Sequence, residues 1–70
     1  MKKIELINRI LNSTKEKISI IIENPAMRNV EHITFFREDF GYKTTYIDNA
    51  YNDNLELKHN KNIKIVGIID

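Results

Sequence analysis

The two histidines of the chain, His32 and His59, are its most obvious candidates for acid–base or metal chemistry. Neither has a carboxylate or a second imidazole at the spacing by which a helix or a hairpin would bring the groups together. The chain contains no cysteine, which excludes a thiol nucleophile and a thiolate metal site. We therefore predict no catalytic residue, no metal site and no cofactor, and a protein that is not an enzyme.

The oxygen-rich segment at residues 48–54 superficially suggests a calcium loop. An EF-hand loop beginning at Asp48 would need glycine at its sixth position and glutamate at its twelfth. Asp53 and His59 occupy those positions. Because Asn and Asp are also the residues that favour turns, the segment is explained as a polar loop.

Three lysines near the C-terminus, Lys58, Lys61 and Lys64, form a basic cluster that could contact phosphate. A helical N-terminus followed by a basic hairpin resembles the wing of winged-helix DNA-binding domains. Against this interpretation, the net charge is only +1, and the predicted second helix carries carboxylates that would repel a phosphate backbone. A nucleic-acid-binding regulator that uses these lysines is therefore the alternative function.

All six aromatic residues lie between Phe35 and Tyr51, interleaved with acidic residues. Tyrosine supplies a large contact area at low entropic cost and is enriched at interface hot spots. The same side chains could instead simply cover a sheet. We predict a protein-binding surface, suited to a partner with a basic groove such as a nucleic-acid enzyme, and formed by Tyr42, Tyr46, Asp48, Tyr51 and Asp53.

Length and charge distribution limit the architecture. Seventy residues make one domain, near the lower limit for a core without disulfides or metal, so a homo-oligomer is one way to complete it. The charge is +3 over residues 1–30, −4 over 31–56 and +2 over 57–70. No run of about 20 apolar residues is present and the N-terminus does not resemble a signal peptide, so we expect a cytosolic protein without a membrane partner.

Asparagine, lysine and isoleucine, which AT-rich codons favour, are abundant in this short chain. Such a composition resembles the small accessory proteins of phages and mobile elements in AT-rich bacteria, although no specific motif carries the resemblance. It implies a phage protein in the host cytosol that binds and inhibits or redirects a host protein such as a defence nuclease. An anti-CRISPR or another anti-defence inhibitor would be of this kind.

Helical periodicity dominates the N-terminal third. Ile4, Ile7, Leu11, Ile18 and Ile21 recur at steps of three and four residues or their sums, which predicts one amphipathic helix over about 2–23. Two observations favour other interpretations. The β-branched run at residues 18–22 is also typical of a buried strand, and Ser13 with Glu16 fits a capping box that would divide the segment.

The middle of the chain is predicted to form a second short helix over about 29–40. Asn24 and Asn29 are candidate caps, and Gly41 stands where a left-handed terminating residue is wanted. The alternation of Ile33 and Phe35 with polar neighbours favours a strand instead.

The C-terminal part is predicted to form a three-stranded antiparallel meander at about 42–48, 55–59 and 63–69, which makes the fold α+β. A three-residue loop at 60–62 would place Leu57 opposite Ile65 and Lys58 opposite Lys64. The last strand is apolar on both faces, which predicts a central position in the sheet.

Overall fold

The computed structural model describes residues 1–27 and 30–70. Arg28 and Asn29, the second of them a predicted helix cap, lie outside the described residues. The described part forms, in chain order, α1 (Lys3–Leu11), β1 (Lys17–Glu23), β2 (Glu31–Phe36), a 3-10 turn (Arg37–Asp39), α2 (Phe40–Ala50), β3 (Glu56–Leu57) and β4 (Asn60–Ile69).

The strands form one antiparallel sheet in the order β2-β1-β4-β3. The α+β class is therefore confirmed, but the described residues form four strands rather than the predicted three. The central position predicted for the last strand is also confirmed, because β4 lies between β1 and β3. None of the described helices is long and apolar enough to cross a membrane.

The predicted helix over 2–23 is wrong in its second half, since α1 ends at Leu11 and β1 follows. Residues 12–16 separate the two elements, and the Ser13 hydroxyl accepts a hydrogen bond from the Lys15 N–H at 3.1 Å. Such local side-chain bonds compete with helix continuation.

The buried face of α1 also differs from the predicted stripe. Leu6 and Ile10 are fully buried, whereas Ile4 is 63% and Leu11 is 53% exposed. In β1, the side chains of Ile18, Ile20 and Ile22 all point into the core. The alternation of the strand explains the burial of Ile20, which a helix would have placed on its polar face.

The predicted helix over 29–40 is wrong as well. Residues Glu31–Phe36 form β2, paired antiparallel with β1 so that Phe35 lies opposite Ile18. The helix comes later, because Phe40, Thr44 and Ile47 recur at helical spacing and are all buried. The predicted strand over 42–48 is therefore helix α2.

The terminal hairpin exists, but with a different register and a shorter first strand. Glu56 lies opposite Lys64 and Leu57 opposite Asn60, with a register shift between them. The predicted pairs Leu57 with Ile65 and Lys58 with Lys64 are thus wrong. Leu57 instead forms a bridge with Tyr51, and the Lys58 N–H donates to the Ala50 carbonyl at 2.9 Å, so the end of α2 holds this part of the chain. Leu55, in the loop between α2 and β3, is 2% exposed and has a φ of 63°, a backbone conformation that is costly for a residue with a Cβ.

The core lies on one side of the sheet only. Both helices pack there, and the buried side chains of the two helices, the strands and the loop before β3 form one cluster. The alternate residues of β1, such as Ser19 and Ile21, face the opposite, open side. Ser19 and Thr34 are joined there by a 2.6 Å hydrogen bond between their hydroxyls. The fold is a two-layer arrangement of helices on a sheet with one uncovered face.

Replacing Gly41 by alanine is expected to stabilise the fold by about 0.5–1 kcal/mol, since glycine is a poor helix former. Gly41 lies in the first turn of α2 without a positive φ, and a Cβ built there meets nothing within 4 Å. Urea unfolding of Gly41→Ala beside the parent protein would measure the difference. A loss of stability would show that the first turn of α2 is not the helix described.

Candidate protein-binding surface

The five residues predicted to bind a partner are divided by the fold into three environments. Tyr42 and Tyr46 lie one turn apart on α2, with 73% and 57% of their surface exposed. Tyr51 is 5% exposed and belongs to the core. Asp48 and Asp53 lie beside Lys3 of α1. Only the first two tyrosines are presented together to a partner.

Lys3 occupies the centre of a cluster of oxygens at the end of α2. Its Nζ atom lies 3.2 Å from Asp48 Oδ1 and 3.9 Å from Asp53 Oδ1. The same ammonium group donates hydrogen bonds to the backbone carbonyls of Asp48 at 3.0 Å and Tyr51 at 3.1 Å. Carbonyls at a helix C-terminus lack partners within the helix and carry partial negative charge. Lys3 therefore caps α2 from a neighbouring helix.

One backbone and one side-chain hydrogen bond reinforce this contact. The Lys3 N–H donates to the Asp53 carbonyl at 2.9 Å, and Lys2 Nζ donates to Asn54 Oδ1 at 2.8 Å. The Lys3 side chain is only 13% exposed, so its charge is poorly solvated and depends on these oxygens. Asp48 thus helps to hold α1 to α2 through its carbonyl and its 62% exposed carboxylate, whereas Asp53 does so mainly through its backbone carbonyl, because its side chain is 93% exposed.

Tyr51 forms the floor of an apolar groove between α2 and β2. The groove has a volume of about 270 Å³ and is also lined by Ile33, Phe35, Lys43 and Tyr46. Burial raises the pKa of the Tyr51 phenol, and the neighbouring Tyr46 and Glu31 raise it further. Within the described part of the chain, no hydrogen bond is made by the Tyr51 hydroxyl, and no side-chain oxygen is both sealed from solvent and unpartnered. The hydroxyl therefore retains solvent access, which the groove provides.

The exposed tyrosines have acidic neighbours that the predicted set did not include. Glu38 and Asp39 lie in the 3-10 turn that leads into α2, and both are exposed. Among the described residues, neither carboxylate forms an ion pair. Lys43 lies on the flank of the helix, with Nζ 5.9 Å from the centre of the Tyr42 ring. We call Glu38, Asp39, Tyr42 and Tyr46 the tyrosine face.

The sequence places Glu38 and Asp39 among the aromatic residues, which is an indication that they belong to the same surface. That indication becomes specific only when α2 is known to begin at Phe40. A helix beginning there makes the 3-10 turn continuous with the exposed side of Tyr42, whereas a strand at 42–48 would have separated them.

The three lysines of the alternative function have an acidic neighbour in the fold. Lys58, Lys61 and Lys64 are all exposed, but Lys64 lies opposite Glu23 of β1, and its Nζ is 4.0 Å from the Glu23 carboxylate. That acidic neighbour partly neutralises the cluster. Over residues 1–27 and 30–70, no group of three or more His, Asp or Glu side chains could hold a metal ion.

We expect Lys3→Met to lower the free energy of unfolding by about 2 kcal/mol, the typical value for hydrogen bonds to a charged group. The change keeps the apolar stem and removes the ammonium group that caps α2. Lys61→Met is the matched control, and it should cost less than about 0.5 kcal/mol because Lys61 is exposed on the terminal hairpin. Equal effects of the two changes in urea unfolding would contradict the capping role.

Tyr51 should make stability fall at alkaline pH. Because its pKa is raised in the folded state, its contribution is complete below the unfolded-state pKa and is lost as pH rises through the folded-state value. Tyr51→Phe keeps the ring and removes the ionisable hydroxyl. Unfolding free energies of both proteins across the alkaline range should therefore diverge, with the variant falling less steeply. Parallel curves would show that Tyr51 ionises equally easily in both states.

No protein-family model matches this chain, and comparisons with curated proteins and with solved structures gave no match.

Proposed function

We propose that this chain is a non-enzymatic protein-interaction module that binds a partner protein through the tyrosine face. The observation that carries the proposal is the pair Tyr42 and Tyr46, one helical turn apart and 73% and 57% exposed. Residues four apart on a helix are neighbours, so the two rings form one contact area.

The physical properties of tyrosine support binding at this position. Each ring offers apolar area and a hydroxyl, while only two side-chain torsions have to be ordered on binding. A helix of eleven residues is about 16 Å long, which matches the helix-in-groove mode of recognition. The buried residues of α2 anchor it to the sheet, so the tyrosine face is held on a rigid element.

The charge of the face indicates the kind of partner. Glu38 and Asp39 lie at one end of the tyrosine pair. Potentials across an interface tend to be complementary, so this arrangement suits a basic groove, as in an enzyme that handles nucleic acid. With the phage-like composition, this supports a factor that occupies such a groove on a host protein and inhibits or redirects it. A host defence nuclease is the partner class that this proposal names.

The experiment is affinity capture from host lysate after nuclease treatment, followed by binding measurements on the captured protein. Tyr42→Ala and Tyr46→Ala should each weaken binding by about tenfold or more, as expected for interface hot spots. Neither change should alter stability by more than about 0.5 kcal/mol, because both side chains are exposed.

Ile4→Ala is the matched control, since Ile4 is 63% exposed and belongs to α1 rather than to the tyrosine face. It should leave binding unchanged. Retention of full affinity by the Tyr42→Ala, Tyr46→Ala double variant would rule out the tyrosine face. Capture that is lost on nuclease treatment would favour nucleic acid, with Lys58, Lys61 and Lys64 as the residues to test.

A further inference from the structure

Within residues 1–27 and 30–70, the outer edge of β2 presents a row of backbone groups that no other strand pairs. β2 is the end strand of the sheet. The Arg37 N–H donates to the Glu16 carbonyl at 2.9 Å, which fixes the hydrogen-bonding phase of the β1–β2 pair. Since hydrogen-bonded pairs alternate in an antiparallel ladder, Glu31, Ile33 and Phe35 point their backbone groups towards β1. The backbone groups of the alternate residues, His32, Thr34 and Phe36, point outwards.

This edge lacks the features that usually prevent strand pairing. Over its six residues it contains no proline, no lysine and no break in the register with β1. Ile33 and Phe36 are exposed on it by 39% and 54%. At the opposite end of the sheet, β3 is only two residues long. The β2 edge is therefore the place in the described fold most ready to accept another strand.

The sequence of β2 is complementary to itself in one antiparallel register. Centring the pairing on Thr34 puts Thr34 opposite its own counterpart, Ile33 opposite Phe35, and His32 opposite Phe36. The same register puts Glu31 opposite Arg37, so that each end of the pairing joins opposite charges. Thr34 is one of the residues whose backbone groups point outwards, so the central pair and both His32–Phe36 pairs would be hydrogen-bonded.

Neighbouring registers are chemically worse. Residues that pair directly must have their side chains on the same face of the sheet. The two-fold axis that relates the strands therefore passes through a residue, never between two residues. Centring on Ile33 would put Glu31 opposite Phe35. Centring on Phe35 would put Arg37 opposite Ile33. Each alternative sets a charge against an apolar side chain, and only the Thr34 register pairs charge with charge.

We propose that two copies of this chain associate through antiparallel pairing of their β2 strands, centred on Thr34, to form one continuous eight-stranded sheet. Arg37 already contacts Glu16, with Nε 3.5 Å from the carboxylate, and it donates through Nη1 to the Ser13 carbonyl at 3.3 Å. A guanidinium group has five N–H donors, which leaves donors for Glu31 of the second copy.

The test is the oligomeric state, measured by sedimentation equilibrium over a range of protein concentrations. The parent protein should dimerise. Glu31→Arg and Arg37→Glu should each weaken the dimer by about tenfold or more, because symmetry repeats each like-charge contact twice. The combined variant Glu31→Arg, Arg37→Glu restores opposite charges and should recover much of the dimer. Glu23→Arg, a change of the same charge on β1, is the control and should not alter dimerisation.

A second pair of variants separates dimerisation from folding. His32→Pro removes an outward N–H that makes no bond within the described part of the chain, so an edge strand should tolerate it. It should weaken the dimer while His32→Ala does not, with melting confirming that both remain folded. A parent protein that stays monomeric at all concentrations overturns the proposal. A dimer that responds to neither charge reversal nor proline overturns this edge and register. The oligomeric state can be measured without changing Tyr42 or Tyr46, so the dimer proposal and the partner-binding proposal can fail separately.

Discussion

The inward alternation of Ile18, Ile20 and Ile22 in β1 is the constraint on which the rest of the fold depends. Burial of three β-branched side chains on one face of a strand provides the main apolar surface against which both helices pack. The same strand pairs with β2 on one side and β4 on the other. Its two neighbours therefore cannot change register without moving apolar residues out of the core. In a chain of seventy residues, a single central strand thus sets the geometry of all its neighbours.

The helices depend on a second, polar interaction. Lys3 joins the start of α1 to the end of α2 through two carboxylates and two backbone carbonyls. A largely shielded cation with this many oxygen partners fixes a geometry that apolar contacts alone would leave looser, because hydrogen bonds are directional. The contact explains why Asp48 and Asp53 lie close together in space. The contact also shows that acidic residues which lie among aromatic residues in a sequence can interact within the protein as well as with a partner.

The two-layer architecture determines which apolar and backbone groups stay at the surface. The sheet is covered on one face, its β2 edge is unpaired, and α2 presents its outer side to solvent. A small domain cannot bury all of its apolar surface, so exposed rings and strand edges are expected in some number. The features that distinguish this chain are the placement of two tyrosines on one helical turn and an edge whose residues complement themselves. These two surfaces lie on different elements and offer different chemistry, side-chain contact in one and backbone pairing in the other.

The sequence by itself determined the α+β class, an amphipathic helix at the N-terminus though not its end at Leu11, and the central position of the strongly apolar C-terminal strand. Each of those patterns fits only one kind of secondary structure. Residues 18–22 and 42–48 each fit both a helix and a strand. Isoleucine at four of the five positions 18–22 suits either a helix face or a strand. Tyr42, Thr44 and Tyr46 alternate, whereas Phe40, Thr44 and Ile47 recur at helical spacing. Only the tertiary structure decided between them, since burial against a sheet selects which side chains turn inwards. It also decided that Tyr51 is core and that Asp48 and Asp53 lie beside Lys3, because those positions depend on contacts between residues about fifty positions apart, which no local pattern records.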